Sequence, residues 1–446
     1  QLVKKSVRDF IPDAEARYLA NMFNGKLSGK LPMVLPVKGK RYLTIVEQQE
    51  QYYLLEFENE PHAEGDDTSF VSIYQEIKLV MAAIEACTTT VETCQVIARE
   101  LKKLSGFDKV MVYCFDEQWN GDVVAEEMEP GMESYLGLKF PASDIPKQAR
   151  ELYKKSPYRL IPTVDYEPVR LYPVINPLTN AFTDLSNSNL RSVAGVHLEY
   201  LRNMQVNASM STRILKDGEL WGLIACHHRT PKYLSYEMCS VFELLSSVIT
   251  AKIAAVQNHD SFVRRSEKQQ LRNRVIEQAL AAGTIDGEKS SLLHLLDAEG
   301  IAIVADHRIE MAGATPDEQE IEDLIYWLQA NNVHTTYHQP SLPAVYEAAE
   351  NYSQKGSGLL ALPIEAEKGD FILAFRPEVV KKIDWGGNPN EAVQFETDRR
   401  NYHPRASFKV WQEVVKQTAQ TWETETIEVA ESLRNFLIEK KLNKRF

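Results

Sequence analysis

From Leu190 to His228 the apolar positions change their period twice. Across His197, Leu201 and Met204 they recur at helical spacing with Tyr200 alongside, which predicts a short helix. Two runs of strand character follow, Ser209 to Leu215 and Glu219 to His227, joined through Lys216-Asp217-Gly218. A three-residue loop with Gly last is a common hairpin connection, because Gly accepts the left-handed conformation there. That loop puts Ser209 and Ser211 on the same sheet face as Ala225 and His227. A two-residue turn would slip the register by one and part the serines from His227. With the longer turn, two hydroxyls, an imidazole and the helix face carrying His197 line one pocket, and Arg191 lies just ahead of the helix. A cation, hydroxyls and two imidazoles against apolar walls suit an organic anion with a large flat body.

The same patterns divide the rest of the chain. Near the front, a short helix is predicted around Asp13 to Met22. A hairpin is predicted from Arg41 to Glu47 and Tyr52 to Glu58. One helix and a hairpin bury too little to stand alone, so the sequence is expected to start inside a domain, either with residues missing ahead of it or with this segment packed on its neighbour. Polar residues Glu60 to Thr68 read as a linker. Helices are predicted over Ser69 to Ala86 and Val91 to Ser105, the second ended by Gly106. Strands follow at Lys109 to Asp116 and Val123 to Met128. Pro141-Ala142-Ser143-Asp144-Ile145-Pro146 interrupts regular structure with a loop stiffened by two prolines. In it Asp144 is a candidate site residue or a plain cap for a helix over Lys147 to Lys155. Ile161 to Asn189 carries Pro162, Pro168, Pro173 and Pro177 and reads as a long ordered loop. Ser235 to Gly283 holds no proline and keeps Phe242, Leu245, Val248, Ile249, Ile253 and Val256 at helical spacing, which predicts a helix long enough to run between domains. The alternative is two helices broken near Asn258-His259-Asp260. Beyond Leu292, Gly300 to Ala305, Gly358 to Pro363 and Asp370 to Arg376 read as strands and Asp317 to Ala330 as a helix. A polar excursion after Trp385-Gly386-Gly387 reads as a long hairpin arm. Helices are predicted over Lys409 to Thr421 and Glu425 to Leu442. The fold class is thus mixed α/β (α+β).

Composition narrows the function. The chain has 446 residues, so two or three domains are expected, and its 44% hydrophobic content permits sizeable cores. A formal net charge of −13 excludes bulk binding to nucleic acid or anionic membranes. No apolar run reads as long enough to span a bilayer, and no signal peptide is evident. Five cysteines without a CxxC pair fit reduced thiols in a cytosol. Cys226 and His228 flank His227, but alternation turns neighbours to opposite faces and no spacing supplies further ligands, so no metal is expected. No phosphate-binding glycine loop is present.

Several motifs agree in order and spacing with a known family: PASDIP at Pro141 to Pro146, HLEYLRNM at His197 to Met204, LWGLIACHH at Leu220 to His228, WGG at Trp385 to Gly387 and PRASF at Pro404 to Phe408. The chain resembles the photosensory core of a bacterial phytochrome. The resemblance implies a partial PAS domain at 1–60, a GAF domain at 68–258 and a PHY domain at 259–446, with a tongue about 377–410 and a C-terminal output helix. It implies a red/far-red photoreceptor with a linear tetrapyrrole, biliverdin or a related bilin, in the GAF domain. Arg159 and Arg191, helped by Tyr153, would clamp one propionate. Ser209 and Ser211 would bond the other, with His197, which would also lie near the pyrrole nitrogens. Asp144 would meet those nitrogens and the D-ring side. Tyr113, Tyr200 and Phe140 would pack around the D ring, and His227 would bond its carbonyl. Photoisomerisation would break the His227 bond, disturb a pairing of Asp144 with Arg405, and let the tongue refold and signal to an output domain. The expected partners are the bilin, a second copy through the spine helices and a downstream output domain or kinase, with no nucleic acid and no membrane.

One position departs from the family. Plant and cyanobacterial members attach the bilin through a cysteine just before the helix histidine, and Val196 stands there. Biliverdin, held by a cysteine ahead of the PAS core or noncovalently, is therefore the expected pigment. Cys114 neighbours Tyr113, but strand alternation turns it the other way. Two other functions fit parts of the pattern. A GAF-type sensor of a cyclic nucleotide would use the Arg and Ser set for a phosphate but leaves PRASF and the arm unexplained. An enzyme built on Asp144, His197 and His227 lacks a recognisable nucleophile–base spacing. The chain is expected to sense and not to catalyse.

Overall fold

The computed structural model describes residues 5–23, 30–59, 70–282, 289–391, 393–395 and 402–443. The chain divides into two units, Gln1–Ala254 with Trp385–Trp411, and Ala255–Asp384 with Gln412–Phe446.

The first unit opens with helix α1 (Asp13–Phe23) and strands β1 (Lys30–Val37), β2 (Lys40–Gln48) and β3 (Tyr53–Asn59) in the order β1-β2-β3. Here β2 and β3 are the expected hairpin. The sequence reading missed β1 because Pro32 and Pro36 punctuate its apolar run. Proline lacks the ladder N–H and is tolerated at a sheet edge, which is where β1 lies. Ile11, Ala16, Leu19, Leu35 and Val46 form a small core between helix and sheet. The expected linker Glu60 to Thr68 lies outside the described residues.

Helices α2 (Phe70–Ala86) and α3 (Thr90–Ser105) follow. Thr89 caps α3 by accepting from the Glu92 amide at 3.2 Å, and Gly106 closes it at φ +63°. Next come β4 (Lys109–Phe115), β5 (Gly121–Met128), β6 (Lys139–Phe140), α4 (Lys147–Lys155) and β7 (Tyr158–Ile161). The long ordered loop contains a short hairpin, β8 (Ile175–Asn176) and β9 (Ala181–Phe182). Then come α5 (Gly195–Asn203), β10 (Ala208–Lys216), β11 (Glu219–His228) and α6 (Tyr236–Ala282).

Strands β5-β4-β11-β10-β7 run side by side within a larger sheet, and its alternation separates two environments. Val110, Val112, Met210, Ile224 and Cys226 point into a core with α2, α3 and the first half of α6. Lys109, Met111 and Tyr113 pair with His227, Ala225 and Leu223, and Ser209 and Ser211 pair with Ile161 and Arg159, all on the other face.

The β10–β11 turn corrects the expected loop. Lys216 pairs with Glu219, so Asp217 and Gly218 are a two-residue turn, with φ of +52° and +81°. A bulge then intervenes: Leu215 pairs with Leu220 but Ile214 with Gly222, leaving Trp221 as the extra residue. The shorter turn slips the register by one and the bulge by one more, so Ser209 keeps the expected face with His227 and lies directly opposite it.

Helix α6 is 47 residues long and unbroken through Asn258-His259-Asp260; its expected end at Gly283 lies outside the described residues. Among the described residues it is the one helix long and apolar enough to cross a membrane, which corrects the expectation that no such run exists. Phe242, Leu245, Ile249 and Ile253 are core residues of the first unit, which accounts for that apolarity.

In the second unit come α7 (Lys289–Leu295), β12 (Gly300–Ala305), β13 (Arg308–Gly313), α8 (Glu318–Ala330), β14 (Tyr337–Gln339), α9 (Ser353–Gly356), β15 (Gly358–Glu365) and β16 (Asp370–Arg376). An Asp317/Glu320 capping box starts α8. The sheet order is β13-β12-β16-β15-β14. Both faces of its central strands are buried, which is why they read as continuous apolar runs.

The arm comprises β17 (Lys381–Gly386), β18 (Val393–Phe395), β19 (Tyr402–Pro404) and β20 (Val410–Val415), and α10 (Thr424–Asn443) follows. Val393 pairs with Pro404, and Trp385 pairs with Lys139 of β6. The predicted helix Lys409 to Thr421 is instead strand β20 followed by irregular backbone. Its exposure alternates residue by residue, a two-residue period that the helical reading overlooked. Part of the polar stretch toward Arg400 lies outside the described residues.

Candidate ligand cavity and family

A cavity of about 430 Å³ lies in the first unit between the polar face of the sheet, α4, α5 and the Pro141–Pro146 loop. That size is typical of an organic-ligand site. Its walls carry Asp144, Tyr153, Arg159, Arg191, His197 and Tyr200, together with Ser209, Ser211, His227, Tyr113 and Phe140. Every candidate site residue from the sequence except Arg405 lines this space, and Arg405 stands directly behind Asp144.

At one end, Arg159 donates to the carbonyls of Asn189 (3.0 Å) and Arg191, and Arg191 donates to those of Ser186 (2.8 Å) and Ser188 (3.2 Å). Among the described residues no carboxylate forms an ion pair with either. Burial, then the neighbouring Arg191, lowers Arg159 to about 10. Tyr153 and Ser211 share a hydroxyl hydrogen bond of 2.5 Å.

Two imidazoles occupy the middle. His197 stacks on Tyr200 with centroids 6.0 Å apart. Its remaining surface faces the cavity, and desolvation, then Arg159, pulls it down to about 4. His227 is buried and lowered to about 3 by desolvation, then by Lys109 and His197. Its Nδ1 is buried with no hydrogen-bond partner.

At the other end the Asp144 carboxylate accepts from Arg405 and, at 2.9 Å, from the Tyr200 hydroxyl. Its side chain is 5% exposed and that of Arg405 3%. Burial raises the Asp144 carboxyl above its usual range, against the pull of Arg405 and Tyr200. Asp144 does not cap α4, whose first turn has no side-chain cap. The arm is held here by further bonds. Arg405 donates to the Gly386 carbonyl (2.5 Å), Asn203 donates to the Arg405 carbonyl (3.0 Å), and Phe408 packs edge-on against Tyr200 at 5.0 Å. Tyr113 lies over Gly121, where a Cβ would fall 1.7 Å from its ring, so any side chain there would force the ring to move.

Sequence reasoning missed Tyr135, which also lines the cavity, and the buried pair behind it. Lys109 bonds Glu126 at 3.1 Å and sits 3.9 Å above the Tyr135 ring. The available signal was a lysine in an otherwise apolar strand, two residues before Met111 on the His227 side.

Comparison with known proteins decides the family. A model of the phytochrome region matches residues 264–445, and one of the GAF domain matches residues 89–253. A bacteriophytochrome crystal structure from the photosynthetic bacterium R. palustris superposes with a TM-score of 0.84 at 32% identity, over 99% of this chain and 89% of that one. The chain belongs to the phytochrome family. The photosensory core module of the Stigmatella aurantiaca phytochrome superposes equally broadly, with TM-score 0.82 and 33% identity over 98% and 88% of the two chains. Cyanobacterial phytochrome B of Nostoc is 39% identical over 86% of this chain and 52% of its own length. A bacteriophytochrome of Xanthomonas campestris is 33% identical over 82% and 60%. The chain thus spans about half the length of the first of these curated relatives, and it is a phytochrome photosensory core with GAF and PHY regions.

Phytochromes carry a linear tetrapyrrole in the GAF domain. The residues present fit such a group: two arginines that, among the described residues, hydrogen-bond no carboxylate and feel only the nearby charge of Glu56, an orphaned buried imidazole nitrogen, and aromatic walls around a space of organic-ligand size.

Proposed function

We propose that this chain is the sensory core of a red/far-red photoreceptor that holds biliverdin, or a closely related bilin, in the GAF cavity. The observation that carries the reading is the Arg159/Arg191 pair, which faces the cavity and, among the described residues, hydrogen-bonds to backbone carbonyls and to no carboxylate. Two cations arranged so call for a ligand carboxylate, and a guanidinium fork matches one well. In this reading Arg159, Arg191 and Tyr153 hold one propionate, and Ser209, Ser211 and His197 hold the other. Nδ1 of His227 is left over for a ring carbonyl. A bound bilin supplies light-driven rotation of its terminal ring. Tyr113, Tyr200 and Phe140 confine that ring without bonding it covalently. Asp144, shared between the cavity wall and Arg405, is the residue through which a change in the cavity reaches the arm.

The domain reading accompanies this: PAS-like residues 1–60, GAF 68–258, PHY 259–446. Leu244, Phe262 and Leu280 are exposed along α6, which supports pairing of two copies through the spine helices. Five free thiols support a cytoplasmic setting. An output domain or kinase beyond α10 completes the reading. The test is an absorption spectrum of the purified chain after adding biliverdin. A red band that light reverses is expected. No band, or a shift in stability only with a cyclic nucleotide, overturns the proposal.

A further inference from the structure

In the second unit the last residue of β16, Arg376, is 7% exposed. Its Nε donates to the Asp297 carbonyl at 2.8 Å, and its Nη1 donates to the carbonyls of Gln420 (3.1 Å) and Thr421 (2.8 Å). The guanidinium lies 3.8 Å above the Trp422 ring. Arg376 is the residue after which the arm departs, and Gln420 to Trp422 are those by which it returns. One side chain therefore fastens both ends of the excursion.

The bond to Asp297 extends that fastening. The Asp297 carboxylate pairs with Lys268 of α6 at 2.6 Å and accepts from the Thr426 hydroxyl, in the first turn of α10, at 3.0 Å. Thr426 is fully buried. Arm base, spine helix and terminal helix thus meet in one connected set of bonds. The set is not close-packed: a cavity of about 260 Å³ adjoins Arg376, with the carboxyl residues Glu299 and Glu423 also in its walls. If Gln420 and Thr421 shift, the guanidinium has acidic groups to turn to. That is what a two-state element needs: two sets of partners for one group, of similar worth.

We propose that Arg376 is a positioning residue that couples the state of the arm to α6 and α10. The inference rests on the photoreceptor reading for its purpose but not for its test. Hydrogen–deuterium exchange is measured on four ligand-free proteins: wild type, Arg405→Ala, Arg376→Met and the double variant. Arg405→Ala releases the arm at its far end. It is expected to raise exchange in the first turns of α10 by about fivefold, a typical coupling between sites. In the Arg376→Met background the same release leaves α10 nearly unchanged, while arm amides respond as before. Comparing increments removes any basal loosening caused by Arg376→Met. Thr426→Val, which removes only the hydroxyl, serves as the second background and reduces the increment in the same direction if Arg376→Met fails to fold. An α10 increment equal in all backgrounds overturns the proposal, as does an arm release that never reaches α10. On biliverdin-loaded protein, light replaces Arg405→Ala. Failure of the wild type to photoconvert there counts against the photoreceptor reading and leaves the ligand-free result standing on its own.

Discussion

The two ends of the cavity use the same residue type in opposite ways. At one end Arg405, almost fully buried, meets a carboxylate of its own chain, Asp144. At the other, Arg159 and Arg191 are half-buried and, among the described residues, hydrogen-bonded only to carbonyls. A buried guanidinium needs a counter-charge to offset desolvation. The first end has it and closes the protein upon itself. Among the described residues the second has only the nearby charge of Glu56, bonded to neither arginine, which is why we propose that this end receives a ligand carboxylate. Charge satisfaction, more than residue identity, separates the latch from the proposed binding site.

The largest effect should come from breaking the satisfied end. Arg405→Ala leaves the Asp144 carboxyl buried and unpaired, a loss of roughly 3–5 kcal/mol by analogy with other buried pairs. Limited proteolysis should then cut the arm between β17 and β20 while biliverdin still binds. An arm as resistant as in the wild type would erase the distinction between the ends.

Removing a charge from the unsatisfied end should do the reverse. Arg159→Met is expected to leave ligand-free stability unchanged or slightly higher in urea titrations. It should weaken biliverdin binding by about 2–3 kcal/mol, the scale for truncating one partner of a buried charge pair. A large drop in ligand-free stability would mean that its carbonyl bonds already satisfy it.

The imidazoles between the ends sharpen the contrast by titration. His197 and His227 fall to about 4 and about 3 when folded, below the ordinary histidine value near 6.5. The unfolded chain therefore binds more protons across that window. Stability is full above about pH 6.5 and declines as pH falls toward 4, by about 1 kcal/mol per unit for each histidine. Urea midpoints between pH 7 and 4.5 check this. His197→Gln should flatten the slope, and a profile indifferent to that change contradicts the assignment.

The smallest effect belongs to a second arm pair, His403 with Glu199 at 3.0 Å, whose side chains are 46% and 39% exposed. Solvent screens such pairs, so Glu199→Gln should cost under about 1 kcal/mol and leave arm proteolysis near wild type. A loss matching that of Arg405→Ala would show that burial is not what makes the latch.

Much of this was legible in the chain because alternation is rigid. Once Ser209 opposes His227, the pairing of β7, β10, β11 and β4 delivers Arg159, Ser211 and Tyr113 to the same face. The turn was misjudged: a bulge at Trp221 added a second slip to that of a tighter turn, and no local pattern announces a bulge of that kind. Strand β20 was misread because Val410 and Val414 stand at a helical interval while lying on one exposed side of an arm strand. The pairing of Asp144 with Arg405 joins residues 261 positions apart. Only the family resemblance pointed to it, since no spacing rule reaches that far.

The most direct test of whether the cavity's arginines take a ligand carboxylate compares biliverdin with its dimethyl ester, which keeps the pigment and removes both carboxylates. Titrated into the ligand-free chain and followed by visible absorption, the diacid should bind and give a red band, with the ester at least about a hundredfold weaker. Equal binding of the two would contradict the claim that Arg159 and Arg191 await an acid.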